Sequence, residues 1–301
     1  MPAGRNGALF AVLLLIVAAS LLAALASGSA DISFAETLQA LRGTAPDTVR
    51  SLVLELRLPR ALTAFGVGGL LAVAGVLMQV LLRNPLAEPY ILGTSGGAAV
   101  AALLAMMAGL TSYAVDLSAF LGAMAATVLV FSIARGTGSW TPTRLLLTGV
   151  VLAAGFSAVT TLLLAMSPDQ NLRGMLFWLM GDLSFAYEPV QSITLLLILV
   201  VAGLLVARHL IVLARGELQA AIVGLPVTGF RYMVFAASAL ATSLAVTTVG
   251  VIGFVGLVVP HLKELWRHIF MRAVSSVLWW NLIVRPTLWQ KQINSVNWRV
   301  I

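Results

Sequence analysis

Arg57-Leu-Pro-Arg60, a charge-free run to Leu82, and then Arg83-Asn-Pro-Leu-Ala-Glu-Pro-Tyr-Ile-Leu-Gly93 decide how this chain folds. Two basic clusters bracket roughly 20 apolar residues, which as a helix measure ~30 Å, one bilayer thickness. One cluster therefore belongs at each face of a membrane, with a spanning helix between them.

Composition agrees. Of 301 residues, 60% are hydrophobic and 10% are charged, where a soluble domain carries about 25% charged residues. Mean hydropathy is +1.02, and a water-soluble globule is excluded. The net charge of +7 does not indicate nucleic acid, because the basic residues stand singly between apolar runs and gather on no face. Cysteine is absent, so the chain has no disulfide framework, thiolate metal site or cysteine nucleophile. His209, His261 and His268 have no metal-ligand spacing. No metal and no cofactor is expected.

Runs long enough to span fall at 8–27, 61–82, 91–110, 115–134, 145–166, 191–213 and 232–249, with an eighth at 250–262. Backbone groups in lipid must bond within their own segment, and the period-two alternation of a barrel is missing, so the runs are helices. The expected fold is all-α, a polytopic transmembrane bundle of eight spans. The first run resembles a secretory signal, but its core exceeds the usual ~7–15 residues and it reads as the first span. Gly66, Gly68, Gly69, Gly75, Gly96 and Gly97 let helices approach closely. A cytoplasmic N-terminus puts Arg5, Arg83, Arg135, Arg144, Arg208, Arg215 and Arg231 inside against only Glu88 and Glu217, as the positive-inside rule requires. The segment 167–190 is then outside and partly amphipathic, with Trp178 and Tyr187 flanking short apolar stretches, and reads as a short surface helix.

Three strings carry more than topology. In the inner loop, Pro85 and Pro89 stop a helix and Gly93 permits re-entry into the next. Ala214 to Leu225 is a short inner helix with Glu217 in its first turn, ended by Gly224 and Pro226. Such a helix suits a groove on a cytoplasmic partner, although an ordinary interhelical loop reads the same way. Gly250-Val-Ile-Gly-Phe-Val-Gly-Leu-Val-Val-Pro-His261 places Gly250, Gly253 and Gly256 as a small-residue stripe at helical spacing, suited to packing or to a pore wall.

In this order the strings resemble the FecCD-type permease family, which imports iron–siderophores, haem and vitamin B12 through ATP-binding cassette systems. The matching residues are Arg57-Leu-Pro-Arg60, Gly75 and Gln79, then Arg83, Asn84, Pro85, Leu86 and Ala87 with Pro89 and Gly93. Further matches are Trp178-x-x-Gly181, Gly216 and Glu217 through Gly224, and Ile252 to His261, including Phe254 and Pro260. The resemblance implies ten transmembrane helices per subunit, a homodimer or paired permease, and a separate cytoplasmic ATP-binding subunit. It also implies a periplasmic or lipoprotein substrate-binding protein and residence in the bacterial inner membrane. By the same resemblance, Arg57 and Arg60 meet glutamates of the binding protein. Gly216, Glu217, Ala220, Ala221 and Gly224 seat on the ATPase. Gln79, Gly250, Gly253, Phe254, Gly256, Pro260 and His261 belong to the translocation path or its packing.

After Leu262 the composition shifts: Lys263, Lys291, Trp266, Trp279, Trp280, Trp289 and Trp298 appear where lysine was absent and tryptophan rare. Residues 1–262 read as the permease domain. Residues 263–301 read as foreign or frameshifted sequence, or else as an interfacial tail. No phosphate-cradling Gly-x-x-x-x-Gly-Lys-Ser/Thr loop occurs, so ATP hydrolysis is expected on another chain. A gradient-driven transporter is the alternative, and the lack of a mid-span carboxylate argues against it. An intramembrane enzyme lacks any Ser/His pair or acid pair to support it.

Overall fold

The computed structural model describes residues 3–28, 30–136, 141–183, 189–253 and 255–260. Tyr187, Phe254, His261 and the segment from 263, which figure in the sequence reading, lie outside the described residues. The chain divides into two compact units, Met1–Leu257 and Val258–Ile301. Of the second, residues 258–260 are described and are helical.

Among the described residues the secondary structure is helical, with no strand. The order is α1 (Ala3–Ala26), α2 (Phe34–Arg42), α3 (Asp47–Ser51), a π-helical segment Leu52–Arg57 and α4 (Leu58–Leu82). A 3-10 turn at Pro89–Leu92 leads into α5 (Thr94–Met107), α6 (Ser112–Arg135), α7 (Pro142–Met166) and α8 (Asp169–Met180). The chain continues through α9 (Pro189–Leu205), α10 (Ala207–Arg215), α11 (Glu217–Ile222) and α12 (Val227–Val249).

From Asp47 to Leu82 the chain is one helical rod of 36 residues. The π-helical stretch within it has a local cause. Pro59 has no N–H to give the carbonyl four residues back and its ring crowds that carbonyl. The backbone widens there, and the Leu58 N–H bonds to the Val53 carbonyl, five residues back. Asp47–Leu82, α6, α7 and α12 are each long and apolar enough to cross a membrane.

Three sequence expectations change. The run 191–213 is two helices, α9 and α10, bent by 67°. Arg208 and His209 stand just past the break, so the chain turns at the one polar pair that interrupts the second half of the run. The run 91–110 yields only the 14 residues of α5, about 21 Å as helix and short of a bilayer. Its start is taken up by the 3-10 turn, and Gly109 at φ 69° closes its far end. The run 250–262 is not one helix: Gly250 at φ 76° ends α12 and residues 251–253 are not helical. Gly250, Gly253 and Gly256 therefore do not form a stripe on a common face.

The core is built around α4. One end packs Leu70, Leu71 and Ala74 against Ala241, Ala245 and Val249 of α12. The other packs Leu77, Met78 and Leu81 against Phe230, Val234 and Phe235. Between them the buried Ser238 hydroxyl donates to the Ala74 carbonyl at 3.1 Å. That bond gives a polar side chain its partner and fixes the axial register of α4 on α12. Glycine sets the approach of α5 to α6: a Cβ on Gly97 would collide with Ala126 and with the Gly122 carbonyl.

Candidate functional site

The functional residues read from the sequence gather at the two ends of α4. At the Leu82 end, Arg83 caps the helix in the left-handed conformation, φ 50°, and its N–H bonds to the Gln79 carbonyl. It is the one non-glycine residue with positive φ among those described, a conformation that disfavours side chains carrying a Cβ. Asn84 then makes the turn. Its side-chain oxygen accepts from the Leu86 N–H at 2.9 Å, and its carbonyl accepts from the Ala87 N–H at 3.0 Å. Pro85 stands at the second turn position, where its fixed φ is preferred. The Asn-Pro-Leu-Ala string is thus a self-contained turn, with Leu86 exposed and Ala87 buried.

Pro89 opens the 3-10 turn and Gly93 at φ 72° closes it. Space as well as conformation calls for glycine here, because a Cβ on Gly93 would lie 3.1 Å from the Phe156 ring of α7. Tyr90 in this turn packs into the core beside Ile252. Burial is the main cause that pushes its phenol well above the ordinary tyrosine range, with the Glu88 charge adding to it.

At the same end lies α11. Gly216 precedes it at φ 133° and Gly224 follows at φ 86°. Ala220 is buried and Ala221 is exposed. Leu218, Ile222 and Val223 are about three-quarters exposed, at 76%, 77% and 74%. The Glu217 carboxylate is shared by two helices: Arg231 of α12 donates through Nη1 to Oε2 at 2.7 Å, and Arg83 Nη2 lies 3.9 Å from Oε1. Arg231 is buried, whereas Arg83 and Glu217 are part-exposed. With Arg215, these residues line an open cleft of about 600 Å³. Gln79, one turn before Arg83, has its amide nitrogen buried.

At the opposite end Arg57 is buried, and its guanidinium faces inward. Nη1 donates to the carbonyls of Leu25 at 2.8 Å and Ala26 at 3.3 Å, and Nη2 donates to Ala30 at 2.7 Å. These are carbonyls at and just past the C-terminus of α1, where a helix has no internal donors left and a cation is favoured. The end of α1 thus already takes up the donors of Arg57, the residue that the family resemblance assigns to glutamates of a binding protein. Arg60 is half-buried on the next turn.

Strings far apart in sequence meet between these ends. A Cβ on Gly75 would strike the Gly256 carbonyl, and one on Gly256 would lie 2.9 Å from Pro89. A Cβ on Gly250 would meet the Trp178 carbonyl and Gly181, and Asp182 N–H donates to the Val249 carbonyl at 2.9 Å. The glycine-rich string thus meets the Trp178-x-x-Gly181 string through backbone and the family loop through the Pro89 ring. Gly253 is exposed, and a Cβ there would meet open space. Pro260 lies in the separate C-terminal unit.

Sequence reasoning used Arg231 only to orient the chain and missed its pairing. The signal was a lone cation inside an otherwise uncharged helix, which requires a partner. Phe156 and Ser238 left no signal in the sequence.

The family model described as the FecCD transport family matches residues 13–281. That match continues past Leu262, where the sequence resemblance was expected to end. The chain is 40% identical over 220 residues to the vitamin B12 import system permease protein BtuC of Vibrio parahaemolyticus, across 72% of this chain and 66% of that protein. The chain thus spans just under two thirds of that relative's length. It is 38% identical over 252 residues to the hemin transport system permease protein HmuU of Yersinia pestis, across 80% of this chain and 75% of that one. Among solved structures it matches an inward-facing ABC transporter described as of metal-chelate type, at TM-score 0.69 and 28% identity. That match covers 84% of this chain and 78% of the other.

Proposed function

Because the chain belongs to the FecCD transport family, we propose that it is the permease subunit of an ATP-binding cassette importer for a bulky chelate. An iron–siderophore, haem or a corrinoid is the substrate class, and a separate subunit hydrolyses ATP. The observation that carries this reading is α11. A six-residue helix is hung between two positive-φ glycines and exposes Leu218, Ile222 and Val223 at one end of a bundle of long apolar helices. An apolar knob of that size suits a groove on a soluble partner. Movement of the ATPase would shift α11 and, through it, the helices around the substrate path.

The remaining assignments follow from placing α11 at the cytoplasmic face of the inner membrane. The Arg57 end of α4 then faces outward, and Arg60 there keeps its assignment to carboxylates of a substrate-binding protein. A second copy of the chain covers α7. Only Leu145 and Gly149 of that helix are buried, and its exposed positions include Gly155, Ser157, Ala158 and Thr161. Small and hydroxyl residues serve helix association better than lipid contact.

Reconstitution into liposomes with an ATP-binding subunit and a binding protein of the family tests this. Uptake of labelled haem, cobalamin or ferric siderophore should require internal ATP and should collapse in Leu218→Asp. Uptake driven by an ion gradient without ATP would replace this reading with that of a secondary transporter.

A further inference from the structure

We propose that Glu217 is a positioning residue that fastens α11 to two core helices at once, so that displacement of α11 is delivered to α4 and α12 together. This rests on the proposed coupling role of α11 and deepens it. The carboxylate is divided: Oε2 takes Arg231 Nη1 from α12 at 2.7 Å, and Oε1 faces Arg83 Nη2 from the end of α4 at 3.9 Å. The Arg231 contact is a directional hydrogen bond that transmits position, and the Arg83 contact, at 3.9 Å, adds charge attraction from the α4 side.

Four features make this a built link. Arg83 reaches the carboxylate from a left-handed backbone that no other described non-glycine residue adopts. A Cβ on Gly216 would lie 3.8 Å from the Arg83 guanidinium, so the chain before α11 runs beside that same side chain. Apart from Glu217, α11 is weakly held: Ala220 is its one buried residue, and glycines outside the helical region flank it. Finally, α4 and α12 are tied into one body by the Ser238–Ala74 bond and by the shared core of Leu77, Met78, Val234 and Phe235. A helix attached through flexible joints moves alone unless a rigid strut crosses the joint. Glu217 is that strut, and Arg231, buried at 8% exposure, is its anchor.

The test compares uptake per ATP hydrolysed in the permease–ATPase–binding protein complex in liposomes, for Glu217→Gln, Arg231→Met, the double variant and Arg83→Gln. The link predicts that each of the first two lowers the ratio ~10-fold, and that the double variant is no worse than either single one. Arg83→Gln, whose side chain is half-exposed and carries little folding risk, lowers the ratio ~3-fold. An unchanged ratio in Arg231→Met, or ~100-fold additive loss in the double variant, overturns the link. If Arg231→Met yields no folded protein, an unchanged ratio in Arg83→Gln overturns it. Failure of the unaltered chain to bind any ATP-binding subunit would refute the importer reading itself, and the link with it.

Discussion

The two ends of α4 put their arginines to opposite use. At one end Arg57 is enclosed and hands its donors to three backbone carbonyls around the terminus of α1. At the other, Arg83 and Arg231 converge on one carboxylate of a short helix that is otherwise loosely held. Backbone carbonyls cannot titrate, exchange partners or leave their helix, so the first arrangement is a fixed clasp. An ion pair that opens onto a cleft can be pulled, screened or remade, so the second is a joint. The residue type is the same, and the partner decides which it becomes.

The change with the largest expected effect erases the difference between the ends. Gly75→Val drives a side chain into the Gly256 backbone midway along α4. Overpacking of this kind costs about 3 kcal/mol, and both ends should loosen together, read as a drop in Tm in detergent with faster proteolysis at each. Arg57→Ala should act on one end only. Stranding three carbonyls costs about 2 kcal/mol and exposes the α1–α2 connection to protease, while the α11 region keeps its protection. Arg57→Lys should recover only part, since one ammonium lacks the fork that reaches all three oxygens. A changed affinity for the binding protein with α1 protection intact would instead make Arg57 a docking residue.

Glu217→Gln should cost less, about 1 kcal/mol, because the carboxylate is part-exposed. High salt should imitate it at this end and leave the Arg57 clasp untouched. Loss of clasp protection at high salt would break the contrast. The smallest effect belongs to α2, which packs against α1 near the clasp. Ser33 caps it reciprocally with Glu36, whose carboxyl is held below the ordinary range by the Ser33 N–H and hydroxyl. A depressed folded pKa means a contribution that is present above the unfolded carboxylate range and is lost as pH falls through the folded value. Ser33→Ala should weaken that acid dependence without abolishing it, because the Ser33 N–H to Glu36 bond survives the substitution, measured by comparing Tm at neutral and acid pH.

Hydropathy placed α1, α4, α6, α7 and α12 close to where they lie, because length and apolarity are local properties. It overextended 191–213 and 91–110, because it counts apolar residues and does not see Arg208 turn the chain or Pro89 and Gly93 consume the start of α5. The Asn84 turn and α11 were legible for the same local reason: proline, glycine and asparagine impose backbone angles on themselves and their neighbours. The glycine stripe was misjudged because spacing assumes a continuous helix, and the conformation of Gly250 breaks it.

By itself, then, the sequence determined an all-α chain of apolar helices, the loop from Arg83 to Gly93 and the short helix at Glu217, together with strings that resemble a transport family. Only the tertiary structure decided that Arg57 points inward, that Gly75 meets Gly256, that Gly256 in turn meets Pro89, and that Glu217 joins α4 to α12. Local chemistry fixes dihedral angles and burial preference within a few residues. Which guanidinium meets which oxygen depends on how helices distant in sequence pack, and that is settled by the fit of whole surfaces.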